Sequence, residues 1–415
     1  MARTRRDQSG PGFVPSVGTV IAEVSEPLPE IDFGTADAWR ILITDDGVPL
    51  SYVGLADPGR VWAGALVDVT LGRHLDRARA KTELRRALRE RLASPPPPSD
   101  ALSVSVVICT RGRPRMLAEA LEALRRLDPA PTEIIVVDNN PRGADCRREA
   151  ADGGARYVRE NRKGLNNARL TGLRAAQGEL IAFSDDDCLV APGWLRRLPE
   201  LFADPSVGAV TGPGIPYQLD TPFQYRREQV AGFPPRIERA RFDWTNVWTV
   251  QSGRTGAGAN MILRRAVIER LDELFPVELD AGTRTRSGGD LYALYGILAA
   301  GYRIVYDPGV YFFHRHGHDR QALIATVEGY GLGLSAFLTM ALVRHREPAT
   351  FAVWWWLLSR YASARADVAT HQGDAELLDL RRRYLAAGLR GPLEWPRARR
   401  AARRGRSRRG TLAPS

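Results

Sequence analysis

Residues Glu179–Leu195 read ELIAFSDDDCLVAPGWL. The apolar run Leu180–Phe183 has the character of a short strand buried on both faces, and it stops at Ser184. Three carboxylates, Asp185, Asp186 and Asp187, follow without a break. Adjacent like charges at a strand end repel, so something must compensate. Water on an exposed loop is one compensation and a divalent cation is the other. If the triplet stays extended, Asp185 and Asp187 point to one side and Asp186 to the other.

Working outward, LSVSVVICT (Leu102–Thr110) and EIIVVDN (Glu133–Asn139) are also apolar, β-branched runs, and ARYVREN (Ala155–Asn161) is a shorter one. Helical spacing fills Pro114–Leu127 and Leu165–Gln177. Strand and helix alternate, which predicts an α/β, doubly wound, Rossmann-like and mostly parallel sheet. Ligands of such sheets bind outside the carboxyl ends of the strands. Those ends carry Thr110 and Arg111, Asp138 and Asn139, and the Asp triplet. A dinucleotide site needs GxGxxG after the first strand. CTRGRPRML offers one usable glycine, Gly112, and no Walker loop occurs. A nucleotidyltransferase, with a glycine-rich basic loop there, finds a faint echo in TRGRPR. A sugar nucleotide with Mg2+ or Mn2+ on its diphosphate also fits, because such ions take one or two carboxylates plus phosphates and water.

Five separated segments, in this order, resemble the family 2 glycosyltransferases of the GT-A nucleotide-diphospho-sugar transferase fold. They are VSVVICTRGRP, EIIVVDNNP, ENRKGLNNARLTGLRAAQGELIAFSDDDCLVAPGWL, GAGANMILRR and SGGDLYALYGILAAGYRIVYDPGVYFFHRH, within Ser103–His316. The resemblance implies a nucleotide-diphosphate-sugar donor, a divalent metal and an inverting transfer. It implies Thr110, Arg111, Asp138 and Asn139 at base and ribose, and Lys163 and Arg169 near base and phosphates. Asp185, with its neighbour Asp186, would lie on the ribose side. Asp187 would be the metal ligand, His314 would face metal or diphosphate, and Asp290 would be the catalytic base. The family often has a second acid just before the base, where this chain has Gly289. The QxxRW motif of processive synthases is missing, which implies one sugar per visit. A catalytically silent sugar-nucleotide-binding or interaction protein of the same fold is the alternative.

Other readings come from the residues themselves. Asp290 opens the helical stretch DLYALYGILAAG after Ser287-Gly288-Gly289, so an N-cap fits it as well as a base. His314, His316 and His318 in HRHGH are spaced for zinc, although no cysteine or acid cluster adjoins them in sequence. Trp194 could stack on an acceptor sugar or pack in the core. Cys109, Cys146 and Cys188 form no CxxC pair and no disulfide framework, which fits a reducing cytosol.

The chain has 415 residues and a formal charge of +11, with eight arginines in Arg397–Arg409. The expected organisation is an N-terminal β-rich accessory domain (1–93), a Pro-rich linker (94–101), the sugar-nucleotide domain (102–318), a helical region (319–395) and a basic disordered tail (396–415). DDG at Asp45–Gly47 predicts a hairpin turn, and Leu75–Ala93 a charged helix. MARTRRDQSGPGF is no secretory signal, and a cytoplasmic protein is expected. No nucleic-acid module accompanies the charge, so nucleic acid is not an expected partner. The acceptor is a glycan, a lipid-linked or a small-molecule hydroxyl. Two readings fit Trp354–Trp356 and the arginines: peripheral contact with the inner face of an anionic membrane, or buried aromatic helices and a loose tail.

Overall fold

The computed structural model describes residues 17–26, 38–45, 47–56, 102–232, 236–370 and 375–410. The predicted helix at Leu75–Ala93 and the linker at 94–101 lie outside them. Strands β1 (Val17–Glu23), β2 (Ala38–Asp45) and β3 (Val48–Ala56) form a small sheet, with β1 parallel to β2 and β2 antiparallel to β3. The predicted hairpin turn joins β2 to β3, and Gly47 takes the left-handed φ of +71° there. This sheet docks through Leu42, which packs with Ala191, Ile215 and Tyr311.

The main domain follows the predicted alternation: β4 (Val104–Thr110), α1 (Pro114–Arg125), β5 (Glu133–Asn139), α2 (Asp145–Asp152), β6 (Arg156–Glu160), α3 (Leu165–Ala175) and β7 (Leu180–Asp185). After it come β8 (Cys188–Val190), β9 (Val207–Thr211), β10 (Gly214–Pro216), α4 (Pro222–Ala231), β11 (Ala240–Phe242), β12 (Met261–Arg264), α5 (Gly289–Ala299), β13 (Arg303–Tyr306) and β14 (Phe312–His314). Eight strands form one sheet in the order β11-β13-β9-β12-β7-β4-β5-β6. Strands β4 to β7 are mutually parallel, while β12 runs antiparallel between β7 and β9. Every residue of β4 is buried. Val106 and Ile108 join the core under α1, and Val107 and Cys109 the core under α3 and α5. Burying each such side chain stabilises the fold by about 1.5–3 kcal/mol. Double-sided burial explains why β4, β5 and β7 read as continuous apolar runs.

Beside the carboxyl ends lies a three-stranded sheet, β10-β14-β8. It ties the segment after the Asp triplet to His314, through the register Cys188 opposite His314. Four helices close the chain: α6 (Arg320–His345), α7 (Ala349–Thr370), α8 (Ala375–Gly388) and α9 (Gly391–Gly410). Helix α6 is long and apolar enough to cross a membrane by length and composition, and most of its apolar stretch is buried. The expected disorder from residue 396 is corrected, since α9 continues to Gly410. Trp395 and Ala398 are buried, and Arg399 lies over the Trp395 ring at 5.6 Å. Those contacts outweigh the charge that made the segment read as a solvated tail.

Candidate active site

Thr110 sits opposite Asp138, and Cys109 opposite Asp185. Alternation therefore sends Thr110 and Asp138 to one face of the sheet edge and Asp185 to the other. Strand β7 ends at Asp185, and Asp186 and Asp187 form a turn before β8. The triplet, expected to be extended, is thus extended only as far as Asp185, and Asp186 still points away from it, to the Thr110 face. Asp186 folds in beside Thr110, whose Oγ1 donates to its Oδ2 at 2.7 Å. Arg113 spans the turn, with Nη2 2.5 Å from Asp186 Oδ1 and Nη1 donating to Asp187 Oδ2 at 2.9 Å. It is the Arg113 side chain, not that of Arg111, whose ion pairs reach the acids. Burial pushes the Asp186 carboxyl up to about 6 against the pull of Arg113.

Asp138 Oδ2 accepts from Tyr157 Oη at 3.1 Å. Its Oδ1 is buried with no hydrogen-bond partner among the described residues. An orphaned buried acceptor costs about 1–3 kcal/mol, which a ligand N–H recovers. Asn139 spends its amide on the chain instead: Nδ2 donates to Arg162 O at 2.7 Å and Oδ1 accepts from Gly164 N at 2.9 Å. It clamps the loop on which Lys163 stands exposed.

Arg169 is buried beneath this edge. Nη1 lies 2.5 Å from Asp280 Oδ2, and the guanidinium sits 5.6 Å from the Phe275 ring. Asp280 comes from the irregular segment before α5, where it, Gly282, Arg286 and Gly288 all have positive φ. Gly288, at φ +101°, occupies the N-cap of α5, so Asp290 is not the cap. Asp290 Oδ2 accepts from Gly258 N at 3.0 Å and Oδ1 from Leu291 N at 2.9 Å. Gly258 has to be glycine here, because a Cβ would stand 2.6 Å from Asp290 Cβ. Gly289, a candidate acceptor-side position by its place next to the base, is buried. A Cβ there would overlap Asp280 Oδ2 and the Asn166 amide. The acid missing from position 289 is thereby supplied in space by Asp280.

Asp187 and His314 come together, with His314 Nε2 3.8 Å from Asp187 Oδ1. Cys188 Sγ completes a group whose ligand atoms all lie within 4.8 Å of one another. Burial lowers the His314 imidazole to about 3, although Asp187 opposes it. His314 is therefore neutral and a competent ligand. Burial opposes ionisation of Asp187, yet His314 and Arg113 hold it below the usual range. With His314 neutral, Arg113 is the contribution that persists at neutral pH. Two guanidiniums, Arg113 and Arg169, face five carboxylates: Asp185, Asp186, Asp187, Asp280 and Asp290.

Two expectations fall away. Trp194 is fully buried and its Nε1 donates to Asn260 Oδ1 at 2.9 Å, so it cannot stack on an acceptor. The three histidines do not converge on one zinc: His316 turns to Glu228 at 2.7 Å, and His318 Nδ1 lies 3.2 Å from Gln224 Nε2. Arg113 was within reach of sequence reasoning, because its loop leaves the carboxyl end of β4. Asp280 and Glu228 carry no motif and stand on elements with no strand-end signal.

Residues 105–272 match the family model described as "Glycosyl transferase family 2". Succinoglycan biosynthesis protein ExoM of Rhizobium meliloti (strain 1021) is 28% identical over 238 residues, which is 54% of this chain and 71% of that one. Pre-mycofactocin glycosyltransferase of Mycobacterium tuberculosis (strain H37Rv) is 35% identical over 173 residues, covering 40% of this chain and 34% of that one. Among solved structures, the mannosyltransferase PcManGT from Pyrobaculum calidifontis, in complex with GDP-Man and Mn2+, superposes with a TM-score of 0.50 at 20% identity. That superposition covers 79% of this chain and 96% of the other, and it shows a shared GT-A fold.

Proposed function

The chain belongs to family 2 of the glycosyltransferases, and on that premise we propose that it transfers one sugar per visit from a nucleotide-diphosphate-sugar donor to a hydroxyl acceptor, with inversion, using Asp290 as base and Mg2+ or Mn2+ at Asp187. The acid-rich sheet edge carries this reading: two guanidiniums face five carboxylates, and burial pushes Asp185 up to about 7 and Asp186 up to about 6, so an added cation would favour their ionised forms. The residues fit a divalent cation. Asp187 offers a hard carboxylate and His314 a neutral imidazole, on two strands held in register.

Asp138 Oδ1 takes an N–H of the nucleobase, the atom it lacks a partner for. Thr110 and Asp186 line the same face toward the ribose, and Arg113 is a half-exposed cation available to the diphosphate. The acceptor oxygen bonds to the anomeric carbon opposite the diphosphate. The bond from that carbon to the phosphate oxygen breaks, and its electron pair leaves with the diphosphate. Asp290 receives the acceptor's proton. A bound divalent cation would offset the charge gained by the departing group.

A donor panel that includes GDP-mannose, assayed with Mn2+, Mg2+ or EDTA, tests this. Transfer and donor hydrolysis are expected to need the metal and to fall to background in EDTA and in Asp187→Ala. Activity indifferent to EDTA would refute the cation assignment.

For the acceptor we propose a lipid-linked hydroxyl met at an anionic membrane surface. Phe351, Trp355 and Leu358 of α7 are exposed, Trp355 by 75%. Exposed aromatic clusters of this kind mark interaction surfaces. The exposed Arg400 and Arg403 of α9 supply charge complementary to anionic headgroups. Co-sedimentation with phosphatidylglycerol vesicles is expected for the intact chain and should weaken in Phe351→Ala/Trp355→Ala. Equal binding by that variant, or none by the parent, sinks the membrane reading.

A further inference from the structure

Behind His314 lies a buried chain of side chains for which the transfer reaction provides no role. Helix α4 approaches the His314–His318 segment with polar residues. The capping box between Thr221 and Gln224 fixes its start, and Gln224 Nε2 donates to His316 O at 3.2 Å. One turn on, Glu228 Oε1 lies 2.7 Å from His316 Nε2. His316 Nδ1 in turn lies 2.9 Å from His314 Nδ1. Arg227 Nη1 approaches both nitrogens of the His316 ring, at 2.7 and 2.9 Å, and its Nη2 donates to Tyr330 Oη at 3.3 Å.

Proton counting decides the tautomers. An ionised carboxylate only accepts, so the hydrogen between Glu228 and His316 belongs to Nε2. The His316 side chain is 1% exposed and has a guanidinium against its ring. A second proton on that ring would place two cations in contact without water, which is costly. His316 Nδ1 therefore carries a lone pair, approached by Arg227 Nη1 at 2.7 Å and by His314 Nδ1 at 2.9 Å; a second lone pair on His314 Nδ1 would repel it at that distance, so His314 carries its hydrogen there. Neutral His314 then has a bare Nε2. That atom faces Asp187 Oδ1 at 3.8 Å, beyond hydrogen-bond distance. Two acceptors set apart in this way are stable together when a cation lies between them.

We propose that Glu228 and His316 are positioning residues that hold His314 in its Nδ1–H tautomer and so present the Nε2 lone pair beside Asp187. The relay is the outer shell that metal-binding histidines use to fix ring orientation and tautomer. Its purpose rests on the cation reading above, whereas the tautomer itself does not. The relay lies outside the motif segments of the family resemblance except at His314 and His316, and α4 contributes Glu228 from between them.

Two measurements on the full chain separate the relay from the cation. Long-range 1H–15N spectra of the metal-free protein, with His314 assigned by substitution, read its tautomer. We expect Nδ1–H with bare Nε2 in wild type and in Glu228→Gln, whose amide oxygen still accepts. Glu228→Leu should show both tautomers. Free Mn2+ measured by electron paramagnetic resonance should then give an affinity about 10–100-fold weaker in Glu228→Leu, with Glu228→Gln near wild type. Nε2–H in wild type overturns the proposal, as does a Glu228→Leu protein with unchanged tautomer and Mn2+ affinity. Failure of wild type to bind Mn2+ overturns the cation reading, and the tautomer still decides the relay. If Glu228→Leu does not fold, wild type and Glu228→Gln carry the test.

Discussion

Asp290→Asn is expected to lower kcat by roughly 10²–10⁴-fold, the usual contribution of a positioned general base, while leaving folding stability and donor affinity nearly unchanged. The separation follows from what Asp290 touches. Its Oδ2 accepts from Gly258 N at 3.0 Å and its Oδ1 from Leu291 N at 2.9 Å. Asparagine keeps one acceptor oxygen for Gly258 and loses only the local contact to Leu291 N within its own helix turn. It also keeps the size that the Gly258 backbone admits. What it cannot do is take a proton from the acceptor hydroxyl. The check is kcat and KM for transfer beside a denaturation curve. Full transfer activity in Asp290→Asn would remove the base and leave a member of the fold that binds donor without using this residue. A loss of kcat accompanied by an equal loss of stability would make Asp290 a structural acceptor only.

The acids at the sheet edge were legible because two independent periodicities mark them. Buried strands read as apolar runs, and ligands meet parallel sheets at their carboxyl ends. Asp138 and the triplet stand where both rules point. The direction of each side chain was not legible, because it depends on where β7 stops and the turn at Asp186 begins. Helix α4 was invisible for a different reason. Its buried positions include Gln224, Arg226 and Arg227, so hydrophobic periodicity has nothing to detect. Helix α9 was misread in the opposite sense. Its arginines dominate the composition, while buried Trp395 and Ala398 and the Glu394–Arg284 ion pair anchor it. The segment before α5 lacks any period, and four of its residues sit at positive φ. Its functional contribution, Asp280, became visible through its ion pair with Arg169 and the space above Gly289.

That contribution predicts the largest stability effect in the site. Asp280→Asn is expected to destabilise the fold by roughly 3 kcal/mol, because removing one partner of a buried pair leaves the other charge without its direct ion-pair partner, and Asp185 and Asp290 act on Arg169 only from further off. The Arg169 and Asp280 side chains are 4% and 8% exposed, so water cannot take the partner's place. Asparagine is the informative substitution. Asp280 sits at φ +85°, and asparagine tolerates that backbone where alanine adds strain. The measured cost is then the charge and not the turn. Double substitution separates pairing from shape: Arg169→Met/Asp280→Asn should recover part of the loss, since the uncompensated guanidinium is gone. The measurement is the denaturant midpoint at constant slope, which reports stability without a change in the surface exposed on unfolding. Asp280→Asn as stable as wild type would mean that Asp185 and Asp290 suffice as partners for Arg169. The same logic explains Gly289. An aspartate introduced there would meet Asp280 in both volume and charge, so Gly289→Asp should destabilise the wild-type background more than an Asp280→Gly background. With Asp280 in place, the acid that shares Arg169 with the base arrives from ten residues upstream of it, and the position next to the base must lack a side chain to admit it.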